Sequence, residues 1–451
     1  LAGFLKSVLI LGAALGISYL FFHPTLNNSF WYGDDFTYLS HNLRMTEHPS
    51  AVFDDEPPYK FQPLVYAVSY VLFKHFAFEP RGYFLFNMLL HGFNAFLVYL
   101  LVQTLLKDRA VALLSGLLFV FTVGNYGKAV MIMSGLEDLI ITMLALCTMI
   151  FYFVNELKSG GRMRTPWFIL TLVFFVASVL TRSTSFSILG AFLAFDYFFR
   201  RERGRRVISA NFIVLLVIAA IALVFKTNVF HYRPSFYAVT PGPVKFVLYA
   251  VKNVIGYLVR MIFPIHTSEL VAEAGPAVRF VYSLATEIRI VIALVVISYS
   301  FFGFIFGNHT IRFFIAWTYI MVIPFAFFQL PKDWLNIRHL YLVSIGYVMV
   351  ISAGAVYCSR LIAHHAWRRL VPFAVPAFLI VLARFIVTQL DHSYEIKAAS
   401  PATIEHLREI AHGFPGVTIE GDKLRFEPGS PGSGAGSGST PVHPPASGDA
   451  G

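Results

Sequence analysis

The sequence predicts an all-α polytopic membrane protein, and three observations carry that prediction. Of its 451 residues, 57% are hydrophobic and only 13% are charged, against roughly a quarter charged in soluble domains. The apolar residues fall in blocks of about 18 to 25, the length that takes a helix across ~30 Å of hydrocarbon. The basic residues collect in short breaks between alternate blocks, the pattern of positive-inside orientation. The formal charge of +10 therefore reports orientation, and nucleic acid is excluded as a partner. The 47 Phe and 22 Tyr suit lipid-facing and interfacial surfaces. Cys147 and Cys358 lie in or beside apolar runs, so neither a disulfide framework nor a cysteine metal site is expected.

About eleven spans are predicted, at roughly 4–22, 84–106, 110–127, 137–156, 166–181, 185–199, 208–226, 286–306, 311–329, 338–358 and 370–388. The first is read as a retained span, because no small-residue cleavage signal follows in YLFFHPTLNNSF. With the N-terminus inside, KDR (107–109), KSGGRMR (158–164), RRERGRR (200–206) and SRLIAHHAWRR (359–369) all become cytoplasmic. The segment 244–270 is interrupted by Lys245, Lys252 and Arg260, and counting it as a span would invert everything after it. It is read as an interfacial or re-entrant piece on the outer face, the alternative being a membrane span balanced by a twelfth span elsewhere.

The transmembrane domain thus covers 1–388, with long outer connections at 27–83 and 227–285. The first is rich in Asp, Glu, Pro and aromatics and is expected to form short helices on the membrane surface. A small outer segment, 389–428, reads as a helix and hairpin, and the Gly/Ser/Pro tail 429–451 as disordered. No internal repeat is evident, which argues against a transporter built from related halves.

Polar residues gather at the outer ends of the spans. SFWYGDDFTYLS (29–40) places Asp34 and Asp35 among aromatics that draw them to the interface, where a carboxylate loses water and can serve as a base. Glu137 and Asp138 open the fourth span, Arg182 follows the fifth, and Arg338 and His339 open the tenth. All are predicted on the face of Asp34, and ionisable groups so placed are functional candidates. Asn87, His91 and Asn94 share one face of the second span and read as hydrogen-bonding glue between helices. Asp34, Asp138 and the histidines are the available metal ligands. Their spacing is not diagnostic, which leaves a divalent Mg or Mn cofactor open.

A carboxylate base and cations at the outer interface suit sugar transfer from a polyprenyl-phosphate carrier. The base deprotonates an acceptor hydroxyl, the oxygen attacks the anomeric carbon, and Arg338, with Arg182 and His339 as further donor-phosphate ligands, stabilises the departing phosphate. Two rivals stand beside this reading: a transporter or flippase of lipid-linked saccharides, and a non-catalytic scaffold.

The ordered series WYGDDF, FQPLVYAVSYVLFKHFAFEPRGYFLFNMLLHGFNAFLVYLL, MIMSGLEDLI, LTRSTSFSILGAFLAFDYFF and IRHLYLVSIGYV resembles the GT-C membrane glycosyltransferases over about residues 20–360. The likeness is closest to the branch of transmembrane TPR-repeat O-mannosyltransferases and related bacterial enzymes. It implies a GT-C fold, a polyprenyl-phosphate sugar donor, a protein or glycan acceptor and an active site on the extracytoplasmic face. It implies Asp34 as base, with Asp35 one alignment step away. Asp138 takes the acidic position of the fourth span, and Arg338 that of the arginine near the carrier phosphate. The chain departs from the pattern at Gln62, Leu136, Arg182-Ser183 and Val343, and it carries no TPR array, so sugar and acceptor stay open.

Overall fold

The structure is a computed structural model that describes residues 2–30, 33–54, 60–121, 129–228, 243–262, 276–326, 340–362, 400–413, 417–420 and 423–426, with isolated positions between 363 and 399. Its helices are α1 (Ala2–Phe22), α2 (Gly33–Glu47), α3 (Pro63–Phe76), α4 (Pro80–Leu106), α5 (Arg109–Phe121), α6 (Leu136–Lys158), α7 (Pro166–Thr181), α8 (Ser187–Phe195) and α9 (Ala210–Asn228). There follow α10 (Pro243–Ile262), α11 (Pro276–Ser283), α12 (Ala285–Phe306), α13 (His309–Val322), α14 (Ser344–Leu361) and α15 (Pro401–Gly413). A hairpin pairs β1 (Val417–Glu420) with β2 (Lys423–Phe426), antiparallel, with Val417 opposite Phe426.

Local chemistry sets several boundaries. Pro63, Pro80 and Pro166 each stand in a first helical turn, where a missing N–H costs nothing. Thr165 and Asn308 cap α7 and α13 through side-chain oxygens that accept from Phe168 N and Ile311 N at 3.2 and 2.9 Å. Lys107 closes α4 in the left-handed region, φ 57°.

Ten of the predicted spans coincide with a helix: α1, α4 to α9 and α12 to α14. The sixth is the short α8 running into a π turn at Asp196–Arg200. The eleventh, 370–388, lies almost wholly outside the described residues, although Arg384 Nη1 donates to Phe21 O at the end of α1, 3.1 Å. The first outer connection forms helices, as expected, in α2 and α3 with 3-10 turns at His23–Asn27 and Pro49–Phe53.

Six of the helical stretches are long and apolar enough to cross a membrane: Gly3–Asn27, Pro80–Leu106, Met133–Lys158, Ala210–Thr227, Glu287–Phe306 and Ser344–Leu361. Apolar side chains cover the outside of the bundle, among them Ile290, Val291, Leu294, Phe301 and Phe306 of α12. An apolar surface of that extent is stable in lipid and not in water. The protein is an integral membrane protein.

Packing centres on α6, whose apolar stretch is 89% buried, whereas α12 lies at the periphery with no residue of its apolar stretch fully buried. Helix α4 packs on α1, α5 and α6; α6 packs on α7; α13 joins α8 to α14. Contact between α1 and α4 is close enough that a Cβ on Gly92 would lie 2.8 Å from Ala14 O, and Ser18 Oγ donates to Met88 O at 2.6 Å. Small residues let membrane helices approach this closely, and dispersion contacts then hold them.

Buried acids mark both ends of α6. At its C-terminal end Glu156 accepts from Arg200 and from Asn211 Nδ2, the latter at 2.8 Å. Beside it, Asp196 accepts from Tyr152 Oη and Ser209 N at 3.0 and 3.2 Å. This polar knot ties together the two arginine-rich turns, 158–164 and 200–206, that were predicted to be cytoplasmic. At the N-terminal end stand Glu137 and Asp138, 19 and 18 residues before Glu156 by number, or roughly 28 Å along a helix axis. The two ends of α6 thus lie a membrane's thickness apart.

Candidate active site

Four of the residues singled out in the sequence meet at the N-terminal end of α6. Glu137 and Asp138 occupy its first turn, 3% and 4% exposed, and Arg182 follows the last turn of α7. The guanidinium bridges the two acids, with Nε 3.1 Å from Glu137 Oε1 and Nη1 hydrogen-bonded to Asp138 Oδ1. Glu137 Oε1 also accepts from Gln62 Nε2 at 3.2 Å, and Gln62 Oε1 in turn accepts from Tyr38 Oη at 3.4 Å. The chain from Tyr38 to Arg182 thus joins both surface helices, α2 and α3, to the bundle.

Asp35 completes the group. It is fully buried in the first turn of α2, and its Oδ1 accepts from Ser134 N at 2.8 Å. Ser134 sits in the 3-10 turn Met133–Gly135 that leads into α6, so this bond fixes α2 against the entry of the central helix. Asp34, its neighbour, is half-buried and reaches solvent in part. Both carboxylates lie in the first turn of α2. Arg338 and His339 lie outside the described residues. Leu340 directly follows them and is buried.

A cleft opens beside this cluster, lined by Asp138, Thr142, Arg182, Thr184, Ser187 and Tyr341 among others. Tyr341 Oη lies 2.6 Å from His91 Nδ1 and accepts from Asn94 Nδ2 at 3.3 Å. Asn94 Nδ2 also donates to Leu139 O at 3.0 Å, and Asn87 Nδ2 to Ile132 O at 2.8 Å. The polar face of α4 therefore stitches that helix to α6 and to the wall of the cleft, the interhelical role its spacing suggested. Among the described residues, no three His, Cys, Asp or Glu side chains converge as a metal ligand set. Glu137 and Asp138, the acids that do meet, already share a guanidinium. That donor set does not suit a divalent ion.

Sequence reasoning missed Tyr38 and Ser134, and met Gln62 only as a departure from a family pattern. Neutral side chains and a backbone N–H carry no periodic signal, so only the three-dimensional contact reveals them. A second missed group is His41, fully buried on α2 against the Tyr66 ring, centroids 4.0 Å apart. Asp54 Oδ2 stands 3.6 Å from its Nε2 and 3.4 Å from Arg44 Nε. Burial outweighs the other influences and pushes the imidazole down to about 4. The folded state therefore holds His41 neutral where the unfolded chain takes up a proton. Stability is expected to fall as pH drops from about 6.5 to about 4, with a slope of up to about 1.4 kcal/mol per pH unit. Thermal unfolding across that window should show the slope in the native protein and lose it in His41→Phe.

No protein-family model and no curated protein matches the sequence. Among solved structures, the oligosaccharyltransferase of Archaeoglobus fulgidus in its apo form aligns with a TM-score of 0.51 at 15% identity, over 91% of this chain and 58% of that one. The archaeal oligosaccharyltransferase AglB from Archaeoglobus fulgidus, in complex with an inhibitory peptide and a dolichol-phosphate, aligns with a TM-score of 0.51 at 14% identity over the same shares. ArnT from Cupriavidus metallidurans, bound to undecaprenyl phosphate, gives a TM-score of 0.49 at 14% identity, over 92% of this chain and 83% of that one. The chain spans rather more than half the length of the two oligosaccharyltransferase chains. At such identities the likeness is one of fold, and it agrees with the motif order read in the sequence. The chain has the fold of the GT-C membrane glycosyltransferases.

Proposed function

We propose that this protein is a membrane glycosyltransferase that moves a sugar from a polyprenyl-phosphate donor to a protein or glycan acceptor on the extracytoplasmic face. The observation that carries the reading is the convergence of Asp35, Glu137, Asp138 and Arg182 at one end of α6, with the arginine-rich turns at the other. Ionisable groups cost too much at membrane depth to be kept without a task. In this fold, the archaeal oligosaccharyltransferase AglB was captured with an inhibitory peptide and a dolichol-phosphate, the latter a lipid phosphate of the proposed kind.

Asp34 is the general base. It is the member of the pair that reaches solvent, whereas Asp35 is closed off and serves to position α2. Asp34 takes the proton of the acceptor hydroxyl as its oxygen bonds to the anomeric carbon and the bond to the lipid phosphate breaks. A single displacement inverts that centre. Arg182, Glu137 and Asp138 together sum to one negative charge, which does not attract phosphate, so the leaving group falls to Arg338 with His339 beside it. The trio instead shapes the cleft wall, where Asp138 and Arg182 stand opposite Tyr341.

Purified protein in nanodiscs, given radiolabelled polyprenyl-phosphate sugars and an extract of membrane acceptors, should move label from lipid to acceptor. Passage of the intact lipid-linked sugar across a proteoliposome bilayer, with no label transferred, would instead establish the transporter reading.

A further inference from the structure

Lys226, in the last turn of α9, is 2% exposed. A lysine at the end of a membrane helix ordinarily snorkels until its ammonium meets water. This one does not. Its Nζ lies 5.8 Å from the centre of the Phe61 ring, and among the described residues its ammonium makes no hydrogen bond or ion pair. Burial of an ammonium is costly unless an anion meets it. The connection that follows offers none: from residue 227 to residue 268 the chain has no Asp or Glu, while it carries Arg233, Lys245, Lys252 and Arg260. On the extracytoplasmic side such a stretch runs against the usual distribution of basic residues. A counter-ion from outside the chain resolves both facts.

The position of Lys226 says where that counter-ion binds. Phe61 immediately precedes Gln62, whose amide holds Glu137. Helix α10, inside the acid-free stretch, reaches the cleft from its other side. Its Asn253 Nδ2 donates to Ala326 O at 2.8 Å, and its Tyr257 ring packs 6.5 Å from that of Phe325, a residue of the cleft wall. Glu137 and Asp138, the acids at this end of α6, are both engaged by Arg182.

We propose that Lys226 is an anion ligand of the active site, its ammonium meeting the phosphate of the lipid-linked donor beside the Glu137–Asp138–Arg182 cluster. The inference rests on the polyprenyl-phosphate reading above and adds to Arg338 a second cation, a part that Arg182, engaged by two acids, does not play. An ammonium is a compact point charge with three donors, suited to a phosphate oxygen whose lipid and sugar ends point elsewhere.

The test compares binding of farnesyl phosphate and farnesol to the full chain in nanodiscs, for native protein, Lys226→Met and Lys226→Arg, with unfolding temperatures in parallel. The native protein should bind the phosphate at least ten times more tightly than the alcohol. Lys226→Met should lose at least ten-fold in phosphate affinity, with farnesol binding and unfolding temperature maintained, and Lys226→Arg should recover most of the loss. Phosphate affinity unchanged in Lys226→Met overturns the inference and leaves the donor reading standing. Equal losses for both ligands with a lower unfolding temperature also overturn it, because Lys226 then only supports Phe61. A native protein that does not distinguish phosphate from alcohol overturns the donor reading and this inference together.

Discussion

Asp34→Asn is expected to lower sugar transfer by about 10²–10⁴-fold, the usual contribution of a positioned general base. Asparagine keeps the shape of the side chain and its place in the first turn of α2, so expression, unfolding temperature and donor affinity should stay close to native. The loss should therefore appear in turnover and not in the donor Michaelis constant. Asp35→Asn supplies the contrast. It removes charge from a buried carboxylate that holds Ser134 N at 2.8 Å, so it should loosen α2 against α6 and lower the unfolding temperature along with activity. Full transfer by Asp34→Asn, with activity abolished and stability retained in Asp35→Asn, would move the base by one residue.

The largest effect on stability is expected at Arg182. Arg182→Gln leaves Glu137 and Asp138, 3% and 4% exposed, side by side without their shared cation. Removing one partner of a buried ion pair costs about 3–5 kcal/mol, because the remaining charge stays out of water. Here two carboxylates are left, so the variant should unfold at a clearly lower temperature in detergent. Neutralising one acid as well, in Arg182→Gln with Asp138→Asn, should return part of the loss. An unfolding temperature unchanged in the single variant would mean that water already shields the acids, and the cluster would not hold α6 to α7.

How much of this was legible in the sequence varies with the physics of each element. The long apolar helices were, because hydrocarbon imposes a length and a polarity that composition records directly; α4, α6 and α9 begin within four residues of where the hydropathy places them. That Glu137, Asp138 and Arg182 would gather at one end of the bundle was legible too, and they do meet. Their pairing was not. A sequence shows that Arg182 ends a span, and both snorkelling and phosphate binding fit that position, whereas contact with two acids from another helix depends on how α6 and α7 pack. Lys226 went unnoticed for the same reason, since a lysine closing an apolar run is the commonest of interfacial residues until its burial is known. Asp34 and Asp35 are adjacent letters with one composition around them. Only the rotation of α2 separates the half-buried one from the closed one.

The paired locks on α6, Arg182 at one end and Arg200 at the other, also bear on the lipid around the protein. A helix pinned at both termini cannot slide along its own axis or shed a turn when the bilayer swells or thins. It can only tilt with its neighbours. Since the first lock sits in the wall of the cleft, tilt would carry over into the alignment of donor and acceptor. Transfer rates should therefore peak at one acyl-chain length and decline in both shorter and longer lipids.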